Sequence, residues 1–296
     1  MRMRVLRQFC VFVIAICALV GAKPLHAQTK IDVVASFSIM GDFVTIVGGD
    51  RVSVTTLVGP NGDAHVYTPT PQDAKKISDA RLVIVNGFGF EGWLPRLVKS
   101  SGDKAVIVTA TNGIAQRALE NHADPHAWQS VVNAKVYVAN IRDALAAADP
   151  AGAEAYKANA ASYLAKLDAL DAEVRTAIAG IPAAHRKVIS THDAFGYFAA
   201  AYGIEFIAPQ GVSTESEPSA RDLARIIGQI KAAKIPAVFL ENISDPRLMR
   251  RIAAETGAKI GGTLYSDSLT PENGAAPTYI DMVRHNIKAL ADALTP

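Results

Sequence analysis

Four residues of this chain have side chains suited to shared chemistry. They are His65 in Gly-Asp-Ala-His-Val-Tyr, His126 in Asp-Pro-His-Ala-Trp, His192 in Ser-Thr-His-Asp-Ala-Phe and Asp267 in Leu-Tyr-Ser-Asp-Ser-Leu. Three imidazoles and one carboxylate suit a tetrahedral divalent cation, zinc above all. They are far apart in sequence, so only a tertiary fold can gather them.

The bulk composition sets the frame. Of 296 residues, 50% are hydrophobic and 20% charged, which is ordinary for a globular protein and, at this length, a soft prior for two domains. Residues 1–27 read as a secretory signal: Arg2, Arg4 and Arg7 precede an apolar run from Phe9 to Ala22, and Leu25-His26-Ala27 offers a cleavage site before Gln28. Cys10 and Cys17 both fall in this segment. The mature chain is therefore expected to hold neither a disulfide nor a thiolate metal site. Bulky Ile16 before Cys17 argues against lipid attachment there. Of the 30 Lys+Arg set against 28 Asp+Glu, four (Arg2, Arg4, Arg7 and Lys23) precede residue 28, so 26 remain against 28. Nothing in that balance suggests a nucleic-acid footprint, which needs a clustered basic face. No later segment is long and apolar enough to span a membrane.

Short β-branched runs alternate with helical patterns. Strands are predicted at 31–36, 52–58, 81–86 and 105–109, with helices near 39–47, 72–79 and 92–99. A polar loop covers 111–128 and a helix 130–148. The longest helical pattern comes next. Asp149 is a candidate cap and Pro150 a first-turn residue, and apolar positions recur at Tyr156, Ala160, Tyr163, Leu167, Leu170, Val174 and Ile178. Gly180 and Pro182 end it. The second half repeats the alternation, with strands at 187–191, 205–208, 237–241 and 259–264 and helices at 195–202, 219–233, 246–256 and 278–294. The expected class is α/β: two four-stranded parallel lobes, residues 28–148 and 181–296, joined by one long rigid helix, 149–180. His65 and His126 then follow the second and fourth strands of the first lobe, and His192 and Asp267 the first and fourth of the second. Ligands in open α/β sheets sit beyond the carboxyl ends of strands, so the two lobes would face each other across a metal-holding cleft.

The stretches Val58-Gly-Pro-Asn-Gly-Asp-Ala-His65-Val-Tyr-Thr-Pro-Thr-Pro71, Asp124-Pro-His-Ala-Trp128, Thr191-His-Asp-Ala-Phe-Gly-Tyr-Phe198 and Tyr265-Ser-Asp-Ser268 resemble the motifs of the zinc/manganese solute-binding proteins of ABC importers, the cluster A-I or TroA-like family. The resemblance covers essentially the whole mature chain. It implies one buried metal between two lobes, with His65, His126, His192 and Asp267 as ligands. It also implies a periplasmic monomer that hands its metal to an inner-membrane permease driven by a cytoplasmic ATPase, and a metallochaperone could load it. Manganese-type members usually place glutamate where this chain has His192, so the resemblance favours Zn2+, with Mn2+, or a site that also accepts iron, the alternative. Zinc-type members often carry a long His-rich loop before the Asp-Pro-His motif. Here that loop is short and contributes only His122, an auxiliary contact or a solvated residue.

Other residues carry two readings each. Glu241, ending an apolar strand, either holds a ligand histidine by its second ring nitrogen or caps the next helical region. Asp193, next to His192, has the same ambiguity. Trp128 packs under the site or caps a helix start, Glu215 and Glu217 read as a helix-start cluster, His185 as exposed, and His285 as surface or packing. A zinc hydrolase would need an open metal position and a general base. Four protein ligands close the site and no His-Glu-x-x-His helix is present, so an enzyme is not expected. A metal-stabilised adhesin is a third class, disfavoured without an anchor cysteine.

Overall fold

Parallel strands cannot be joined by tight turns, so each apolar run must be followed by a crossover helix. The computed structural model describes residues 30–102, 104–119 and 123–295. The signal reading of residues 1–27, with both cysteines, and His122 lie outside them. The first half holds β1 (Ile31–Phe37), α1 (Ser38–Gly48), β2 (Val52–Val58), α2 (Pro71–Asp79), β3 (Leu82–Val85), α3 (Leu94–Ser101) and β4 (Val106–Thr109). The sheet order is β2-β1-β3-β4, all parallel. Leu82-Val-Ile-Val85 is buried at every position, as expected of a strand covered on both faces. After α4 (Val131–Ala148) and α5 (Ala153–Ala179), the second half repeats the plan. It holds β5 (Lys187–Ile189), α6 (Gly196–Tyr202), β6 (Glu205–Ile207), α7 (Ala220–Ala233), β7 (Ala237–Glu241), α8 (Arg247–Thr256), β8 (Lys259–Leu264) and α9 (Tyr279–Leu294), with sheet order β6-β5-β7-β8. In each sheet the first strand has its two successors on opposite sides. That reversal opens a crevice at the strands' carboxyl ends.

The seven apolar positions of α5 are all buried. Its 27 residues span about 40 Å, and it packs on α1 and α4 from the first half and on α6 and α9 from the second. Its start differs from expectation. Pro150–Gly152 form a separate 3-10 turn, and Asp149 makes no side-chain cap. The Asp149 carboxylate instead accepts from Arg51 at 2.5 and 2.9 Å and from the Tyr156 hydroxyl at 2.8 Å. One apolar core runs through both halves, including Val33, Phe43, Tyr137, Leu167, Phe239 and Leu290. A small second core, with Ile189, Ile226, Val238 and Met249, lies under α7 and α8.

Capping explains the other boundaries. Thr70 and Asp73 form a reciprocal capping box at α2. Thr278 caps α9 through the Asp281 N–H. Asp245 accepts the Arg247 N–H at the start of α8, and Gly257, at φ +76°, ends it. The acidic pair Glu215 and Glu217 does not start α7. Ser219 is its cap and Asp222 its first-turn acid, because Pro218 separates the pair from the helix. No helix among the described residues is long and apolar enough to cross a membrane.

Asp42 on α1 accepts the Tyr279 N–H at 2.9 Å. Burial pushes its carboxyl up to about 6; the Tyr279 bond opposes this and Asp281 adds to it. A carboxyl whose folded pKa is raised takes up its proton in the folded chain first, so stability rises as pH falls from about 6 toward 4. Asp42→Asn keeps an acceptor without the buried charge. It should stabilise the protein by up to about 3 kcal/mol above pH 6 and progressively less toward pH 4. Urea unfolding of both chains across this range checks it, and a gap that widens toward pH 4 would refute it.

Candidate metal centre

His65 follows β2 through the Gly59–Ala64 loop, His126 closes the long loop after β4, His192 lies three residues beyond β5, and Asp267 three beyond β8. The structure brings all four together, one ligand atom from each lying within 4.8 Å of the others. His65 Nε2 is 3.3 Å from His126 Nε2 and 3.2 Å from Asp267 Oδ2. His192 Nε2 is 3.1 Å from Asp267 Oδ2, and His126 Nε2 is 3.7 Å from Asp267 Oδ1. Ligands about 2.0–2.1 Å from a central cation span tetrahedral edges of about 3.3 Å. His126, His192 and Asp267 are 0% exposed and the His65 side chain 5%. Despite these distances, His192 Nε2 and both Asp267 oxygens lack a hydrogen bond of acceptable geometry. Buried polar atoms are rarely left so. Their lone pairs converge on one point, and a cation there would satisfy them.

Each of two histidines is fixed from behind. Glu241 Oε2 is 2.5 Å from His192 Nδ1, and Glu241 also accepts the Thr191 and His192 N–H groups and the Ser266 hydroxyl. It therefore ties the His192 loop to the Asp267 loop. Asp124 Oδ1 is 2.9 Å from His126 Nδ1 and accepts its N–H, while Asp124 Oδ2 takes Arg117 Nη1 at 2.8 Å. A carboxylate on Nδ1 fixes the tautomer that leaves Nε2 free to coordinate. Among the described residues no such partner reaches His65. Its N–H is held by Asp63, and it lines a groove of about 1030 Å³ with Tyr67, Trp93 and Glu215.

The charges are interlocked. Burial opposes protonation of His192, but the Glu241 and Asp267 carboxylates outweigh it and hold that imidazole well above its ordinary range. Burial also opposes protonation of His126, which Asp267 and Asp124 raise less strongly. His65 is lowered by burial. Burial works against ionising Asp267, yet His192 and His126 hold it well below the usual carboxylate range. Protons on the histidines occupy the sites that a cation would take, so metal and protons compete.

The remaining candidates fall elsewhere. The Asp193 N–H bonds Gly211 O, and its carboxylate makes no hydrogen bond to a cage histidine. Trp128 packs against His126, its rings 5.3 Å apart, and donates Nε1 to Ser266 O. His185 is half-buried rather than exposed, its Nδ1 2.8 Å from Leu294 O. His285 meets Thr263 O and the Tyr265 ring. Sequence reasoning gave no role to Asp124, although an aspartate two residues before a candidate ligand with proline between them is a readable signal. It also missed Glu91, fully enclosed beyond β3, whose carboxylate holds the Ser36 hydroxyl and the Asn86 and Gly87 N–H groups. Nothing in the local sequence marks that residue.

Two α/β lobes closed around a buried imidazole–carboxylate cage define a metal-capturing binding protein. Residues 33–293 match the family model described as zinc-uptake complex component A, periplasmic. The manganese-binding lipoprotein MntA of Halalkalibacterium halodurans is 34% identical, over 96% of this chain and 97% of that one. The iron-binding protein YfeA of Yersinia pestis is 35% identical, over 94% and 91%. The solved periplasmic zinc-binding protein TroA of Treponema pallidum superposes with TM-score 0.87 at 31% identity, covering 90% of this chain and all of that one. The chain belongs to this family: it is a metal-binding solute-binding protein of an ABC-type importer, not an enzyme.

Proposed function

We propose that this protein captures Zn2+ with His65, His126, His192 and Asp267 and delivers it, in the periplasm, to an ABC permease and its ATPase. The observation that carries the metal choice is His192, an imidazole clamped by Glu241. With three imidazoles and a single carboxylate, the Irving–Williams order favours zinc over manganese. Residues 28–148 and 181–296 act as the lobes and 149–180 as the strut between them, with residues 1–27 directing export. Tethering through Cys17 is the alternative to release, since the relative MntA is named a lipoprotein.

Manganese is the second reading, favoured by relatives named for manganese and iron at comparable identity. Metal analysis of protein purified without added metal, followed by zinc–manganese competition, separates the two. The parent chain is expected to carry zinc. His192→Glu substitutes a harder oxygen donor and adds charge beside Asp267, and should lower the zinc-to-manganese affinity ratio by about tenfold or more. A parent chain that prefers manganese defeats the zinc reading. An unchanged ratio in the variant would mean that cage dimensions, not this ligand, set selectivity.

A further inference from the structure

Between the lobes, outside the cage, Arg117 occupies a position that neither ligation nor packing explains. It lies on the long loop after β4, at a bend closed by the Ala118–Ala123 bridge. Its Nη1 meets Asp124 Oδ2 at 2.8 Å, and the other oxygen of that carboxylate holds His126 Nδ1 at 2.9 Å. Its backbone N–H donates to the Tyr197 hydroxyl at 2.8 Å, across to the second lobe. The guanidinium rests on Gly196 at the start of α6, where any Cβ would overlap both Arg117 and Asp124.

We propose that Arg117 is a positioning residue for metal retention, bridging Asp124 behind His126 to the Gly196 face of the opposite lobe. The inference rests on the metal-capturing reading of the cage. Arg117 touches no ligand atom. It acts by keeping Asp124 aimed at His126. Without it the Asp124 carboxylate can turn away, His126 loses its fixed orientation, and the cation leaves faster. Gly196 is the complementary half of the device, because a side chain there displaces the guanidinium.

The test is zinc transfer from the loaded full-length chain to an excess of a chromophoric chelator, followed by stopped flow. Removing a partner behind a metal ligand costs about 10- to 100-fold in affinity, so Arg117→Ala should release zinc about tenfold faster, with Arg117→Lys within about twofold of the parent. Gly196→Ala should resemble Arg117→Ala. The metal-free Arg117→Ala chain should stay folded by circular dichroism, with a lowered urea midpoint because Asp124, 0% exposed, loses its cation. Two outcomes overturn the bridge: an unchanged release rate in Arg117→Ala, or equal acceleration in Arg142→Ala, an arginine paired only with its neighbour Asp143. A parent chain that fails to retain zinc, or retains it equally after Asp267→Asn, would instead sink the reading of the cage.

Discussion

Asp267→Asn is expected to reduce zinc affinity by at least about 100-fold, the upper end of what a partner behind the ligands costs. The amide preserves shape and one oxygen donor but removes the only carboxylate of the cage. Asp267 lies 3.1 to 3.7 Å from the Nε2 atoms of all three histidines. It would thus be the carboxylate facing a cation held in the cage, and it is 0% exposed, where water cannot substitute for it. Competitive titration against a chelator measures the loss, and circular dichroism of the metal-free chain verifies the fold. An affinity within about threefold of the parent's would remove Asp267 from the ligand set, since even an outer partner costs more.

Trp128→Ala should be the most damaging single substitution to stability, costing about 3–5 kcal/mol. Global stabilities are about 5–15 kcal/mol, so the variant would be marginal. The indole is fully buried, with ring centroids 5.0 Å from Phe37 and 4.9 Å from Phe90 as well as the contact with His126. The lost Nε1 bond is secondary, because Ser266 O still accepts from Gln129 Nε2 at 2.6 Å. The cavity dominates, and it opens directly behind a cage histidine. Urea unfolding of the metal-free protein gives the cost. Trp128→Phe, which refills most of the volume, should recover more than half of it. A loss below about 1 kcal/mol for the alanine variant would mean that the surrounding rings collapse into the space.

Much of this could be read from the sequence because it is periodic or local. The eight strands follow from β-branched runs, and the buried face of α5 from its spacing of three and four. The cage residues were legible as chemically suited side chains just past strand ends, and the parallel topology brings those ends together. What escaped was long-range hydrogen bonding. Asp149 looks like a helix cap until Arg51, 98 residues earlier, claims its carboxylate. Glu241 could be read two ways because only the folded sheet sets β5 beside β7, bringing it to His192 Nδ1. Asp193 was as ambiguous as Glu241, and its carboxylate bonds no cage histidine, whereas Asp124, given no role, holds His126.

The apolar core shared by both halves has a mechanical consequence. A clamshell binder fits its gap to the cargo, because little apolar surface is lost when it opens. Here separating the halves would expose residues such as Phe43, Leu167 and Leu290, all within one continuous packing, and such interiors are stiff and transmit strain. The spacing of the ligand-bearing edges is therefore a gauge built before any ion arrives. An ion whose bond lengths fit that gauge poorly strains the whole core rather than one loop, in addition to the preference set by the donor atoms. Exchange must then proceed through the softest wall. That wall is the His65 loop, where the imidazole lines a groove and no carboxylate among the described residues stands behind it.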